Sequence, residues 1–227
     1  MNVRACHPGG RVDLVFPAVL VEGDLPADSR HATYGALGRV TGADLHDSDW
    51  MAIFPLIATR RAGRPGELRL RVIAEAASSL RCLGGGILEI YTARVRLGEP
   101  AILPILPARS LASEFVTIHW RARPDSSPLD LEDHVDEGAF AAAVMAQLRA
   151  LQVRARIEVG PARGFSIDHD IVVGRALVLH DLDPAGSIRV QEAGLGGRAR
   201  FGCGLFLPRH DLARPARHPH FQPARTP

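Results

Sequence analysis

Between Gly194 and Gly204 the chain places five glycines and two arginines in eleven residues, Gly194-Leu195-Gly196-Gly197-Arg198-Ala199-Arg200-Phe201-Gly202-Cys203-Gly204, and then enters the apolar run Leu205-Phe206-Leu207 before Pro208. Glycine reaches positive φ at little steric cost and admits a ligand close to the backbone, so successive N–H groups in such a loop can converge on an anion. Arg198 and Arg200 add permanent positive charge in a planar, forked form. These residue types point to phosphate. Gly194, Gly196 and Ala199 also fit the G-x-G-x-x-A spacing of dinucleotide sites, but that fingerprint needs a strand before it, a helix opening from it and an acidic residue about 20 positions later. Here the order is reversed. Ile188 to Ala193 reads as a short helix with Ser187 as N-cap and Gly194 as its stop, and Phe201 to Leu207 reads as a strand. Two arginines inside a helix-loop-strand turn favour a polymeric phosphate, a nucleic acid.

The remaining chemistry-bearing residues narrow the choice. All 27 basic residues are arginine, so every cationic contact is a guanidinium and no lysine amine can serve as a general acid or Schiff-base nucleophile. Cys6, Cys82 and Cys203 are scattered and form no C-x-x-C, which argues against a disulfide framework and a zinc site and predicts reduced thiols in a cytoplasmic protein. Asp168-His169-Asp170 and His180-Asp181 carry ligand types, but strand alternation sends His169 to the face opposite Asp168 and Asp170, so no metal is expected there. Arg154, Arg156 and Arg163 flank the strands after the second long helix and could line a groove with Arg198 and Arg200. No apolar run approaches the ~20 residues of a membrane span, and the N-terminus shows no secretory apolar region.

The elements that must position these groups repeat once. Val12, Leu14 and Phe16 alternate as a first strand that meets Pro17, and a helix follows, entered at Asp28 or Ser29 and closed at Thr41-Gly42. Met51 to Ala58 reads as a strand, Leu68-Arg69-Leu70-Arg71-Val72 as a half-exposed antiparallel strand, Ala74 to Leu83 as a short helix, and Ile87 to Leu97 as a strand. After a Pro-rich joint at Pro100, Pro104 and Pro107, the order recurs. Glu114 to Trp120 is a strand, and Phe140, Val144, Leu148 and Leu151 mark one helix face. Val153 to Val159 and Phe165 to Leu179 are strands, followed by the short helix and the Phe201–Leu207 strand. Both halves fit β-α-β-β-α-β, which predicts two tandem ferredoxin-like (RRM-like) domains of α+β class, 1–108 and 109–208. The tail, 209–227, includes His218 and His220, and its Pro, Arg and His content predicts disorder.

Four segments resemble a known family: Val12-Asp13-Leu14-Val15-Phe16-Pro17, Leu25-Pro26-Ala27-Asp28 leading to Tyr34-Gly35-Ala36-Leu37, Leu45-His46-Asp47, and Gly194 to Pro208. The chain is similar to the CRISPR-associated repeat-cleaving endoribonucleases of the Cas-six group, in a type I branch, which carry such a glycine-rich loop near the C-terminus and use it to contact RNA. The resemblance implies cleavage of the repeat in a CRISPR precursor transcript without a metal or other cofactor. It would release each guide unit with 2′,3′-cyclic phosphate and 5′-hydroxyl ends.

Such cleavage needs a base for the 2′-hydroxyl proton, a cation for charge developing on phosphorus and an acid for the leaving 5′-oxygen, and histidine suits both proton transfers. Of the ten histidines, His46 and His31 sit where the family places its catalytic histidine, with His46 the first choice. Tyr34 lies one turn beyond His31 and could orient a base or the phosphate. The chain departs from the family pattern, in which a histidine directly follows the Asp. It has Ser29 there and His31 two places later, which leaves the division of labour between the two histidines open. The expected RNA contacts are Gly194, Gly196, Gly197, Arg198, Arg200, Gly202, Gly204, Arg154, Arg156 and Arg163, and the expected partners are a hairpin repeat RNA and other effector subunits. Aromatics are scarce at 5%, so recognition by shape and phosphate contacts fits better than base stacking on a sheet. Two other classes compete: a non-catalytic RNA-binding effector subunit, and an enzyme holding a mononucleotide phosphate on the glycine loop.

Overall fold

The structure, a computed structural model, describes residues 10–26, 28–42, 50–60, 65–118, 136–167 and 170–209. Its first sheet contains β1 (Arg11–Glu22), β2 (Met51–Ile53), β3 (Gly66–Ile73), β4 (Ile87–Ile90), β5 (Ala93–Leu97) and β6 (Ala101–Pro104). The strand order is β2-β3-β1-β5-β4, with β6 also on β1. The helices of this half are α1 (Arg30–Thr41) and α2 (Ala74–Leu80). The second sheet contains β7 (Leu111–Val116), β8 (Arg156–Ile167), β9 (Asp170–His180) and β10 (Leu207–Pro208) in the order β10-β7-β9-β8, with α3 (Glu137–Ala150) and α4 (Pro184–Ala193). In each sheet the first and third strands of the unit lie in the centre, flanked by the fourth and the second, which is the ferredoxin-like arrangement. In the first half β5 takes the place of the fourth strand, and Ile87–Leu97 is a tight hairpin rather than one strand. Tyr91, at φ 52, marks its turn.

Pro17 does not end β1, which continues to Glu22. On the side away from β3, β6 pairs with Val12–Val15 and β5 with Ala18–Glu22, so Pro17 falls where one ladder hands over to the other and its missing N–H is not needed. Leu14, Phe16 and Ala18 of β1 and Leu68, Leu70 and Val72 of β3 are fully buried in one core with Leu37 of α1. The second core gathers Phe140, Val144 and Leu148 of α3 with Leu177 and Leu179 of β9 and Val190 of α4. Asp136 caps α3 by accepting from Ala139 N at 2.7 Å, and Asp183 caps α4 by accepting from Gly186 N at 2.7 Å. Ser187 is therefore inside α4 rather than at its start, and its hydroxyl accepts from Ala108 N at 2.9 Å. The segment read as strand Phe201–Leu207 is a 3₁₀ turn (Ala199–Phe201) and an irregular stretch, with only Leu207–Pro208 paired.

The largest departure lies on the other face of β1 and β3. Alternation suggested that Arg69 and Arg71 look to solvent, yet Arg71 is 1% exposed. Asp13 faces it directly across the ladder. Arg71 Nε and Nη2 donate to the two Asp13 oxygens at 2.7 and 2.9 Å, and Nη1 donates to the carbonyls of Gln191 and Phe206 at 2.8 and 2.9 Å. The C-terminal half covers this face, so the arginine is buried by tertiary contact that strand periodicity cannot encode. Asp13 also accepts from Arg69 Nη1 at 3.3 Å, so removing Arg71 leaves the carboxylate one cation and strips the Gln191 and Phe206 carbonyls of their donor; breaking a buried pair costs up to about 3–5 kcal/mol. Arg71→Ala should therefore lower urea-unfolding stability by about 3 kcal/mol, and Asp13→Leu combined with Arg71→Met should recover part of it.

Candidate functional site

The first turn of α1 begins at Ser29, which is buried, while Asp28 Oδ1 accepts from Arg30 N at 3.3 Å. His31 is half-buried in this turn and Tyr34 is buried one turn on. The glycine loop lies directly against them. The Phe201 ring meets the His31 imidazole at 5.7 Å between centroids and 62°, and the Tyr34 ring at 5.1 Å and 66°, both edge-to-face. Arg200 Cζ stands 5.1 Å from the Phe201 centroid and 5.9 Å from that of Tyr34. Arg30 stacks at 5.3 Å on Phe115, beside the same junction. Sequence separates His31 from Arg200 by most of the chain; the fold makes them neighbours.

The loop does not form the expected anion cradle. Gly194 N donates to Val190 O at 2.8 Å, Gly196 N to Gln147 Oε1 at 2.7 Å, Gly197 N to Thr117 O at 3.2 Å, Gly202 N to Ala199 O at 3.1 Å and Gly204 N to Phe115 O at 2.7 Å. All five glycine N–H groups are thus spent on protein acceptors, and Gly202 and Gly204 are buried. Their lack of a side chain serves packing. Gly196 (φ +78°) and Gly204 (φ +67°) lie so close to the Thr117 and Leu195 carbonyls that a Cβ would collide with them. What the loop offers outward is charge: Arg198 is exposed, and Arg200 is half-buried on its rings. A mononucleotide phosphate cradled by the loop backbone has no free glycine donors to receive it.

The proposed basic groove is also divided. The loop packs on Phe115 and Thr117, at the C-terminal end of β7, whereas Arg156 pairs with His180, whose neighbour Leu179 pairs with Leu111 at the start of β7. Five residues of strand, roughly 17 Å, separate the two ends. Arg154 and Arg156 therefore lie at the far end from the loop, and Arg156 Nε is engaged by Asp181 Oδ2 at 3.3 Å. Arg163 pairs with Gly174, beside Arg175 and hence Val116, which puts it at the loop end of the sheet.

His46, Asp168, His169, His218 and His220 lie outside the described residues. His180 is buried, with Nε2 2.9 Å from Glu158 Oε2 and Nδ1 3.3 Å from Ser110 Oγ, so it and Asp181 belong to separate pairs. Its hydrogen bond, supported by Arg209 and Arg156, holds the Glu158 carboxyl below the usual carboxylate value. Among the described residues no group of three or more His, Cys, Asp or Glu side chains could hold a metal ion.

The family described as Cas6 Crispr matches residues 12–211. A CRISPR-associated endonuclease Cas6 of Myxococcus xanthus (strain DK1622) is 38% identical over 213 residues, 91% of this chain and 85% of that protein. The chain belongs to the Cas6 family. Solved structures share the fold at low identity. A CRISPR-associated protein Cas6 superposes with TM-score 0.56 at 12% identity, over 87% of this chain and 99% of that one. The CRISPR endoribonuclease Cse3 bound to a 19 nt RNA gives TM-score 0.51 at 14% identity, over 87% and 98%. For this Cas6 chain the sequence pointed to His31, Tyr34 and the loop arginines but missed Phe201 and Arg30. The signal for Phe201 was present: it is the one ring inside the loop, set between Arg200 and a glycine.

Cys203 is buried in the first core, with Sγ 3.8 Å from Phe201 O. Burial pushes its thiol up to about 12, against the opposing pull of Arg30 and Arg198. The neutral thiol is a packing group, whereas Cys82 is exposed. Iodoacetamide at pH 8 should modify Cys82 in the folded protein and reach Cys203 only after denaturation, as read by peptide mass spectrometry; rapid native labelling of Cys203 would contradict this burial.

Proposed function

We propose that this Cas6-family endoribonuclease cuts CRISPR repeat RNA at the junction of α1 and the glycine loop, without a metal ion, by attack of the 2′-hydroxyl on the adjacent phosphate. The observation that carries the reading is the cluster of His31, Tyr34, Phe201 and Arg200, which joins a proton acceptor and a permanent cation at one partly open place. His31 takes the 2′-hydroxyl proton, the 2′-oxygen forms its bond to phosphorus, and the P–O5′ bond breaks. The leaving oxygen gains a proton, giving a 5′-hydroxyl and a 2′,3′-cyclic phosphate. Arg200 faces the charge that develops on the non-bridging oxygens, and Tyr34 orients the base or the phosphate. His46, the sequence's first choice, lies outside the described residues and is the candidate for the other proton transfer, or for the base itself if His31 is not. Arg198 and Arg163 track the RNA backbone at this end of the second sheet, with a repeat hairpin recognised by shape and phosphate contacts. Work in the cytoplasm completes the reading.

Cleavage of a cognate repeat should persist in EDTA and be abolished by a single 2′-deoxy at the scissile position. His31→Ala should slow single-turnover cleavage by about 10²–10⁴-fold, and Arg200→Ala by about 10²-fold. His46→Ala, assayed in parallel, apportions the two proton transfers. Loss of cleavage in EDTA with recovery on adding a divalent cation would sink the metal-free mechanism. A full rate in His31→Ala would remove His31 from the role of base.

A further inference from the structure

The loop contributes more than charge to this site. Phe201 is 6% exposed, and its position is set by backbone: Phe201 N donates to Arg198 O at 2.8 Å, and Gly202 follows at φ +75°. A Cβ on Gly202 would stand 3.0 Å from Pro55 Cδ and 3.1 Å from Ile53 O, so the turn is pressed against the first half of the chain. From that fixed place one ring presents itself to both His31 and Tyr34, with the Arg200 guanidinium over it as well. An imidazole in the first turn of a helix has its own χ rotations to lose before its lone pair can meet a 2′-hydroxyl. Misplacing a reacting group by about 1 Å can cost about 10²-fold in rate.

We propose that Phe201 is a positioning residue for cleavage: through edge-to-face contact it fixes the His31 imidazole and the Tyr34 ring in their working orientation, so that the loop carrying Arg200 also sets the base. The proposal rests on His31 being the base. Phe201 does not touch RNA and acts through its two ring partners and the Arg200 guanidinium stacked on it. A purely structural role predicts something different, because a displaced loop would move Arg198 and Arg200 and weaken RNA binding.

The test is a double-mutant cycle on the full chain with repeat RNA, comparing wild type, Phe201→Leu, His31→Ala and the double variant. Single-turnover rates at saturating protein are measured beside RNA Kd and thermal melts, with Phe201→Tyr as the variant that keeps the ring. Phe201→Leu should slow the chemical step about 10-fold while Kd stays within about two-fold, and Phe201→Tyr should restore most of the rate. In the His31→Ala background, Phe201→Leu should cost clearly less than its about 10-fold in the wild type, because only its effect through Tyr34 and Arg200 remains. Equal rate losses in both backgrounds would overturn the proposal, as would a loss confined to Kd. If Phe201→Leu does not fold, Phe201→Met carries the same expectations at a closely matched side-chain volume. A slow His31→Ala beside an unaffected Phe201→Leu rejects the positioning role alone; a full-rate His31→Ala rejects the base assignment and the positioning role with it.

Discussion

The junction between the two halves depends on one guanidinium. Arg71 leaves the face of β3 that a lone ferredoxin-like unit would give to water, and it meets a carboxylate on its own sheet and two carbonyls from the other half. Gln191 lies in the last turn of α4 and Phe206 just beyond the loop, so the two carbonyls stand on either side of Gly194–Gly204. One side chain thereby ties both ends of the glycine loop to the first sheet. Lysine could not replace it, since a point-charge ammonium has no planar fork to meet a carboxylate bidentately while reaching two carbonyls. A charge this deeply buried is tolerated only because its hydrogen-bonding capacity is met, and that requirement fixes where the C-terminal segment must lie. Arg71 also stacks at 5.0 Å on Phe54, which packs with Leu205 and Leu207 in a small core of its own.

With its ends held, the loop has little freedom. Its glycines let the backbone lie against the end of β7 at distances no side chain would allow, and their N–H groups are consumed in doing so. The glycine amides therefore differ from those of a phosphate-binding nest, in which successive amides stay open for the ligand. The loop is a rigid mount, and its recognition chemistry sits in side chains. Phe201 points inward to α1, while Arg198 and Arg200 are left on or near the surface. A rigid mount suits a reaction whose difficulty is alignment of a base, a sugar hydroxyl and a phosphate.

Much of this was legible locally. The repeated β-α-β-β-α-β order follows from alternation and helical spacing, and the ring of α3 contacts, Phe140, Val144 and Leu148, could be read directly from its i, i+4 face. What was not legible is non-local. Arg71 and Asp13 alternate correctly for a solvent-facing pair, and only the arrival of Gln191 and Phe206 buries them. Phe201–Leu207 has strand composition but spends its backbone on turns because Gly202 and Gly204 take positive φ. Arg154, Arg156 and Arg163 are close in sequence, yet an extended strand carries them toward opposite ends of a sheet. The loop was recognised as important from its composition, but its function as a mount depends on Thr117 and Gln147, which no local window includes.

The site is also electrostatically expectant. Arg30 and Arg198 both act on the buried Cys203, and Arg200 lies close by on the 3₁₀ turn, so several positive charges converge at the junction of α1 and the glycine loop. Asp28 opposes them in part, at the entry to α1. In the absence of RNA these guanidiniums repel one another, and the fold holds two of them by stacking, Arg30 on Phe115 and Arg200 on Phe201 and Tyr34. Cation–π contact engages a guanidinium through its face, so the rings help set where both arginines point.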